Sequence, residues 1–399
     1  MYTKIGVAHS NLSNSYNSGR EAASNALIDA GIERADFAIV FCSGIHDPQA
    51  FLKGINSILT NTLIVGGSCI GIITNSFIEY EGYESAVTVF ASDVLTFKTF
   101  IQGDLNVDER ECGKLLGQKI VDALDPSDYG MMIFYDSSKQ NSPPLLNFAT
   151  WLFDGLTSVI PKHLVCAGAG LLSDMQFNTA YQIFNDQVIT QSAVSVVFGG
   201  LGKMYTTILH GCKPGGSYYT ITKVNGPIIE EINHLPSLEV IDQMLGSQHG
   251  IPWKDFSFFI TLGVNRGEKF ATFDEKNYAN RLVLSVNEDQ KSITMFEPDL
   301  KEGDEIQLMR RSVDLEYVRK GIGDLLEQVS SKKILYAFYI DCAGRAKPYT
   351  GGSLEDAVEV IKILGHIPIM GMYSGVEIAA IRGVLQPLDW TGVLCVLTE

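Results

Sequence analysis

Two short segments near the carboxy end bring together side chains that can do chemistry: DCAGR, with Asp341, Cys342, Gly344 and Arg345, and GMYSGVE, with Gly371, Tyr373, Ser374 and Glu377. Arg345 offers a planar fork for a carboxylate or phosphate, Glu377 can meet an ammonium, and Tyr373 supplies a flat apolar wall with one polar tip. Together they suit an amino acid or another small carboxylate. The plainer alternative is that Arg345 and Glu377 pair with each other and tie two loops together. Cys342 beside a guanidinium can also be read as an activated nucleophile, because a neighbouring positive charge favours the thiolate. That reading lacks a base. His46 is the sole histidine in a comparable loop, next to Pro48, and His366 lies at the other end of its strand. A packed small thiol is the alternative, and no other catalytic residue is expected.

Two earlier stretches have the same look with less chemistry. Gly66, Gly67, Ser68 and Cys69 follow an apolar run, as Ser43 and His46 follow another, and consecutive glycines can turn backbone amides toward an anion. GGSCIG is neither GxGxxG nor a P-loop, and a packing turn explains it as well. Asp136, Ser137 and Ser138, then Gly168, Gly170, Ser173 and Asp174, form the third set, whose acids can cap a following element. No CxxC or Cys/His ligand spacing is present, so neither metal nor cofactor is expected.

These segments sit at equivalent places in a threefold pattern. Helix-like stretches at 19–30, 108–124 and 315–329 each precede an apolar run, at 37–44, 131–138 and 336–345. A helix length later a second run follows, at 63–71, 164–170 and 367–375, and then a closing strand at 85–90, 192–198 and 392–397. Continuous Val/Ile/Leu/Phe runs read as buried strands, and apolar residues three and four apart read as one face of a helix. The pattern predicts an α/β protein with mixed sheets flanked by helices, built from three helix-strand-helix-strand-strand units.

Between the second and third units the period changes to two. A strand-like run opens the stretch 218–245, which closes on a helix from 238, and 256–261, 281–286, 291–296 and 305–309 read as further strands of a β insertion. A boundary near Gly226 divides the chain into 1–225, with units one and two, and 226–399, with the insertion and unit three. Loops at the ends of buried strands are where such folds gather their chemistry. Unit three alone combines a thiol, a guanidinium, a phenol and a carboxylate there.

Composition narrows the function class. The 399 residues are 46% apolar, enough for a large core, and the formal charge of -16 argues against nucleic acid or an anionic membrane as partner. Seven cysteines, mostly in apolar runs such as those of Cys42, Cys166 and Cys395, suit reduced thiols in the cytosol. No apolar run is long enough for a membrane span, and the amino terminus does not read as a signal peptide, so a cytoplasmic protein is expected.

In the order and spacing of its motifs the chain resembles the FIST family of tandem amino- and carboxy-terminal FIST domains. The resemblance rests on ADFAIVFCSGIHDPQAFLKGI, VGGSCIG and AVTVF, on VCAGAGLLSD and SAVSVVF, and on DCAGR and IPIMGMYSGVEIA, where Glu377 and Ile378 match the family's ending. Val376 stands where the family usually has glycine, and Ile72 where the amino-terminal loop often carries glutamate. The resemblance implies a sensory role. FIST domains occur beside kinases, chemoreceptor modules, cyclases and F-boxes, and are proposed to bind small ligands such as amino acids. With no output module in this chain, the signal is expected to pass to a separate signalling protein. A cysteine-dependent enzyme using Cys342 and a protein-docking module are the rival readings.

Overall fold

The computed structural model describes residues 2–80, 82–142, 144–246, 251–350 and 354–399. Each unit places its first and second apolar runs side by side as parallel strands: Phe37–Ser43 with Leu63–Cys69, Gly130–Asp136 with Val165–Leu171, and Ile334–Cys342 with Ile369–Ser374. The closing strands Ser85–Ser92, Ala193–Gly200 and Gly392–Thr398 run antiparallel on the other side of each first strand. The helices Ser15–Ala30, Glu109–Asp122 and Glu316–Gln328 precede the first strands. Asn14 and Asp108 cap the first two through their side chains, and Gly31 ends the first in a left-handed conformation that glycine adopts without strain.

Each unit also contains two parts that its sequence did not announce. A leading strand comes before the helix, Thr3–Ser10, Leu95–Gln102 or Lys203–Leu209, and pairs with the closing strand. A hairpin follows the second strand, and it leaves its own sheet. Gly71–Thr74 with Phe77–Tyr80, from unit one, extends the unit-three sheet. Gln182–Phe184 with Gln187–Ile189, from unit two, extends the unit-one sheet, and Val376–Ile381 with Val384–Leu388, from unit three, extends the unit-two sheet. The exchange is cyclic, so every sheet is completed by the preceding or following unit. Through this pairing Ile72, Gln182 and Glu377 occupy equivalent positions, opposite Met372, Gly67 and Ala169.

The three sheets turn their inner faces toward one another. Phe41, Phe134 and Phe338, one from each first strand, meet there with ring centroids 5.1 to 6.0 Å apart. Their outer faces are covered by the helices, whose apolar stripes form a separate cluster on each sheet. Each parallel pair depends on a glycine: Gly66 faces Val40, Gly168 faces Ile133 and Gly371 faces Tyr339. A Cβ at these positions would lie 1.7, 2.0 and 2.3 Å from the carbonyl oxygen of that partner. The repeated glycines therefore set strand spacing.

The insertion lies between the leading strand and the helix of unit three. Its strands Tyr219–Asn225, Ile228–Ile232, Ser292–Met295, Tyr278–Asn287 and Thr261–Asn265 pair in that order, and both the first and the last pair with Glu305–Arg311, so the sheet closes on itself. The stretch 256–261, expected as a strand, instead ends a short helix, Trp253–Phe256, and continues as the 3-10 turn Ser257–Phe259. Its bulky Phe-Ser-Phe-Phe run fits half-buried packing in either conformation, and the strand starts only at Thr261. Unit three begins at Lys203, and hairpin Gly71–Tyr80 also belongs to its sheet, so elements from before residue 226 help to build the unit-three sheet.

Candidate functional site

Because Ile334–Cys342 and Ile369–Ser374 are parallel neighbours, with Asp341 opposite Tyr373 and Cys342 opposite Ser374, their ends open on the same side. The first continues as the 3-10 turn Ala343–Arg345, and the second departs after Gly375 into the exchanged strand. The side chains singled out by the sequence do converge. Most of them are already engaged with protein groups.

Arg345 is buried, with 4% of its side chain exposed, and its fork is filled from within. Nε lies 2.8 Å from Asp341, Nη2 pairs with Asp356 and donates to the Tyr317 hydroxyl at 3.1 Å, and Nη1 donates to the carbonyls of Trp390 at 2.9 Å and His210 at 3.3 Å. Glu377 is equally buried but forms no ion pair among the described residues; it accepts from Ser374 Oγ at 2.9 Å and from the Thr391 amide at 3.4 Å. Arg345 and Glu377 thus neither pair with each other nor present a free zwitterion clamp. Burial, with Asp389 nearby, pushes the Glu377 carboxyl well above its usual range. Tyr373 donates its hydroxyl to Glu355, and Gly371 packs against Tyr339 inside the sheet.

Cys342 is a poor thiolate. Burial pushes its thiol up, and the nearby Glu377 and Asp341 act in the same direction. The Asp341 carboxyl is itself raised by burial to about 7, against the pull of Arg345, and its Oδ1 accepts from the Cys342 amide at 3.0 Å. The guanidinium that was to activate the thiol is therefore spent on two carboxylates.

The earlier loops are filled by exchanged or neighbouring backbone. Ser68 is fully buried; its amide donates to the Tyr181 carbonyl at 2.9 Å, and its Oγ accepts from the Tyr181 amide and Ser173 Oγ, both at 3.2 Å. A Cβ on Gly67 would lie 2.2 Å from the same carbonyl. Gly66, Gly67 and Ser68 are closed to an anion because the unit-two hairpin occupies that edge. The ring of His46 is held by Ser15 Oγ and the Tyr83 carbonyl, each at 3.0 Å. Asp136 accepts from the amides of Ser138 and Gln191, and burial raises it to about 7.

A cavity of about 470 Å³ lies beneath the insertion, beside a second of about 440 Å³ lined by Arg345, Tyr317, Asp356 and, from the insertion, Arg311. Cys342, Ser374, Asp389 and Trp390 line it from the body, together with Phe177 and Tyr349, while Phe258, Phe259, Leu282, Phe296 and Arg311 form its roof. Arg311 ends the insertion strand that pairs with Cys212–Pro214, which brings it over Trp390 with the guanidinium carbon 3.2 Å from the ring centroid. Its Nε and Nη2 donate to Thr261 Oγ1 at 3.1 and 3.0 Å, and Nη2 also to the Phe258 carbonyl at 3.0 Å. Nη1 has no hydrogen bond, and no carboxylate pairs with this guanidinium, among the described residues. Burial lowers its pKa to about 10, with Arg345 acting in the same direction. Asp389, also in the lining, accepts from the Leu282 amide at 2.9 Å, and burial raises it to about 6 against the pull of Arg281.

Arg311, Asp389 and Trp390 carried no signal in the sequence. Arg311 is the second of two arginines on an alternating strand, and Asp389-Trp390 follows Pro387 in what reads as a connection. The FIST N domain model matches residues 36–235 and the FIST C domain model residues 237–380. The chain belongs to the FIST family. FIST domains are sensory domains of signal-transduction proteins and bind small ligands. An uncharacterized protein of Methanocaldococcus jannaschii is 24% identical over 182 residues, 45% of this chain and 35% of that one. One of Mycobacterium bovis is 24% identical over 206 residues, 51% of this chain and 52% of its own length. The chain thus spans about a third to a half of these curated relatives. Among solved structures, a chorismatase aligns over the whole of both chains at 8% identity and a TM-score of 0.38, and a cyanuric acid hydrolase at 8% and 0.35. No helix among the described residues is long and apolar enough to cross a membrane.

Proposed function

We propose that this FIST protein is a sensor that binds an amino acid with an apolar side chain in the cavity under the insertion and passes its state to a separate signalling protein. The observation that carries the proposal is Arg311, a partly buried guanidinium with a free Nη1 and no acid partner among the described residues, in the lining of a largely apolar cavity. A partly desolvated cation without a counter-charge is available to a ligand carboxylate, which can pair with it through charge-assisted hydrogen bonds. Asp389 in the same lining supports an ammonium as the second charged group, and the phenylalanine-rich walls support an apolar side chain. Of the residues the sequence singled out, Cys342 and Ser374 remain in the proposed site, whereas Arg345, Tyr373 and Glu377 brace it. The body and the insertion each supply one charge, so the ligand would bridge them. A ligand that contacts both has the differential affinity for closed over open arrangements that a sensor needs.

Thermal shift with a panel of amino acids and their deaminated acids tests the proposal. A ligand at 100 times its dissociation constant adds about 2.7 kcal/mol of stability, and Arg311→Gln abolishes the response. A flat response across apolar amino acids and carboxylates, or a response unchanged in Arg311→Gln, would overturn it.

A further inference from the structure

The cavity walls carry more information than their apolar character. Six aromatic side chains border it, Phe177, Tyr349 and Trp390 from the body and Phe258, Phe259 and Phe296 from the roof. One pair joins the two parts near the outer limit of aromatic contact, Phe177 of the body and Phe296 of the roof with centroids 6.5 Å apart, and within the roof Phe258 and Phe296 are 6.3 Å apart, both pairs tilted. Phe258 and Phe259 remain 44% and 51% exposed, although they line this largely apolar cavity. One face of Trp390 is already covered by Arg311. The volume of 470 Å³ falls in the range of about 300–1,000 Å³ typical of small-molecule sites and leaves room for a bicyclic ring.

We infer that the ligand class is a planar aromatic acid of bicyclic size, held with its carboxylate on Arg311 and its ring against the aromatic side chains Phe177, Phe258 and Phe296 that border the cavity. This rests on the ligand site proposed above and narrows it. Aromatic faces and edges interact with such a ring through their quadrupoles, a contribution that an aliphatic chain of equal area does not receive. The ring also covers the exposed faces of Phe258 and Phe259, removing apolar surface from water on both partners. Leucine-lined walls would have satisfied an aliphatic ligand equally well. Here Leu282 and Leu172 are the minority.

The test is isothermal titration of the full-length chain with four probes: tryptophan and 3-indolepropionate against leucine and 4-methylpentanoate. The expected result is at least tenfold tighter binding of each indole compound than of its aliphatic counterpart with the same charges. Phe296→Leu, and separately the more exposed Phe258→Leu, should reduce that ratio below threefold while leaving the affinity for the aliphatic probes within threefold. Equal or tighter binding of the aliphatic probes overturns the inference and leaves the amino-acid site standing. Absence of binding by all four overturns both. A ratio that survives in both variants also refutes the inference, because the preference would then arise elsewhere.

Discussion

Replacing Arg345 by methionine separates the two roles that its sequence position allows. Methionine retains much of the apolar stem, so the loss is concentrated in the guanidinium. That group pairs with Asp341 and Asp356 in a site where its own side chain is 4% exposed and theirs 1% and 11%. It also satisfies the Trp390 and His210 carbonyls. Removing one partner of a buried pair typically costs about 3–5 kcal/mol, because the remaining charge stays buried. Asp356 keeps the Tyr317 hydroxyl and Asp341 keeps the Cys342 amide, so the lower half of that range, about 3–4 kcal/mol at pH 8, is expected. The pH dependence has a definite sign. Burial already raises Asp341 above its unfolded value, and Arg345 is the opposing influence. Without Arg345 the folded pKa rises further, so the folded variant binds more protons than its unfolded chain up to a higher pH. Its stability falls as pH rises through that window, and the deficit against wild type shrinks at pH 5.5. Urea unfolding followed by circular dichroism at both pH values measures this, with ligand affinity determined below the unfolding transition. A variant within 1 kcal/mol of wild type that has lost its ligand response would refute the structural role and return Arg345 to the binding site.

Three other outcomes are expected. Affinity for an apolar amino acid should weaken as pH falls through about 6, where Asp389 takes up a proton and loses its attraction for the ammonium; the deaminated acid should not show this loss, as titration at pH 7.5 and 5 would establish. Cys342 should resist alkylation by iodoacetamide at pH 7.5 in the folded protein, since burial and the neighbouring Glu377 and Asp341 suppress the thiolate; rapid selective labelling, read by mass spectrometry, would revive the enzyme reading. Gly371→Ala should destabilise the fold by roughly 1–3 kcal/mol or more, since its Cβ would press on the Tyr339 carbonyl, and a loss of less than half a kcal/mol in urea unfolding would contradict the strand-spacing role.

Much of the architecture was legible because it is local. Continuous apolar runs are a property of a few consecutive residues, and the strands observed at Phe37–Ser43, Val165–Leu171 and Ile369–Ser374 begin and end within two residues of their expected places. The leading strands were missed because Leu95–Gln102 alternates polar and apolar residues at a sheet edge and lacks the fully buried signature. The hairpins were missed because short strands such as Gly71–Thr74 and Gln182–Phe184 carry almost no pattern, and which sheet they join is not written in their own residues. The site divides in the same way. Cys342 and Ser374 reach the cavity because strand ends in a parallel pair necessarily open together.

The sequence by itself determined that three similar units pack apolar strands under helices, that their strand ends carry small and polar residues, and that the third is chemically the richest. These follow from periodicity and turn chemistry, which act over a few residues. Tertiary structure alone decided how charges are matched. Arg345 meets Asp356 across a turn and into a helix, Glu377 is carried by the cyclic exchange into the sheet of another unit, and Arg311 lies over Trp390, 79 positions further along the chain, without an acid partner among the described residues. Charge pairing depends on distance through space and on the water excluded from between the partners. Both are set only when the exchanged hairpins and the insertion close over the strand ends.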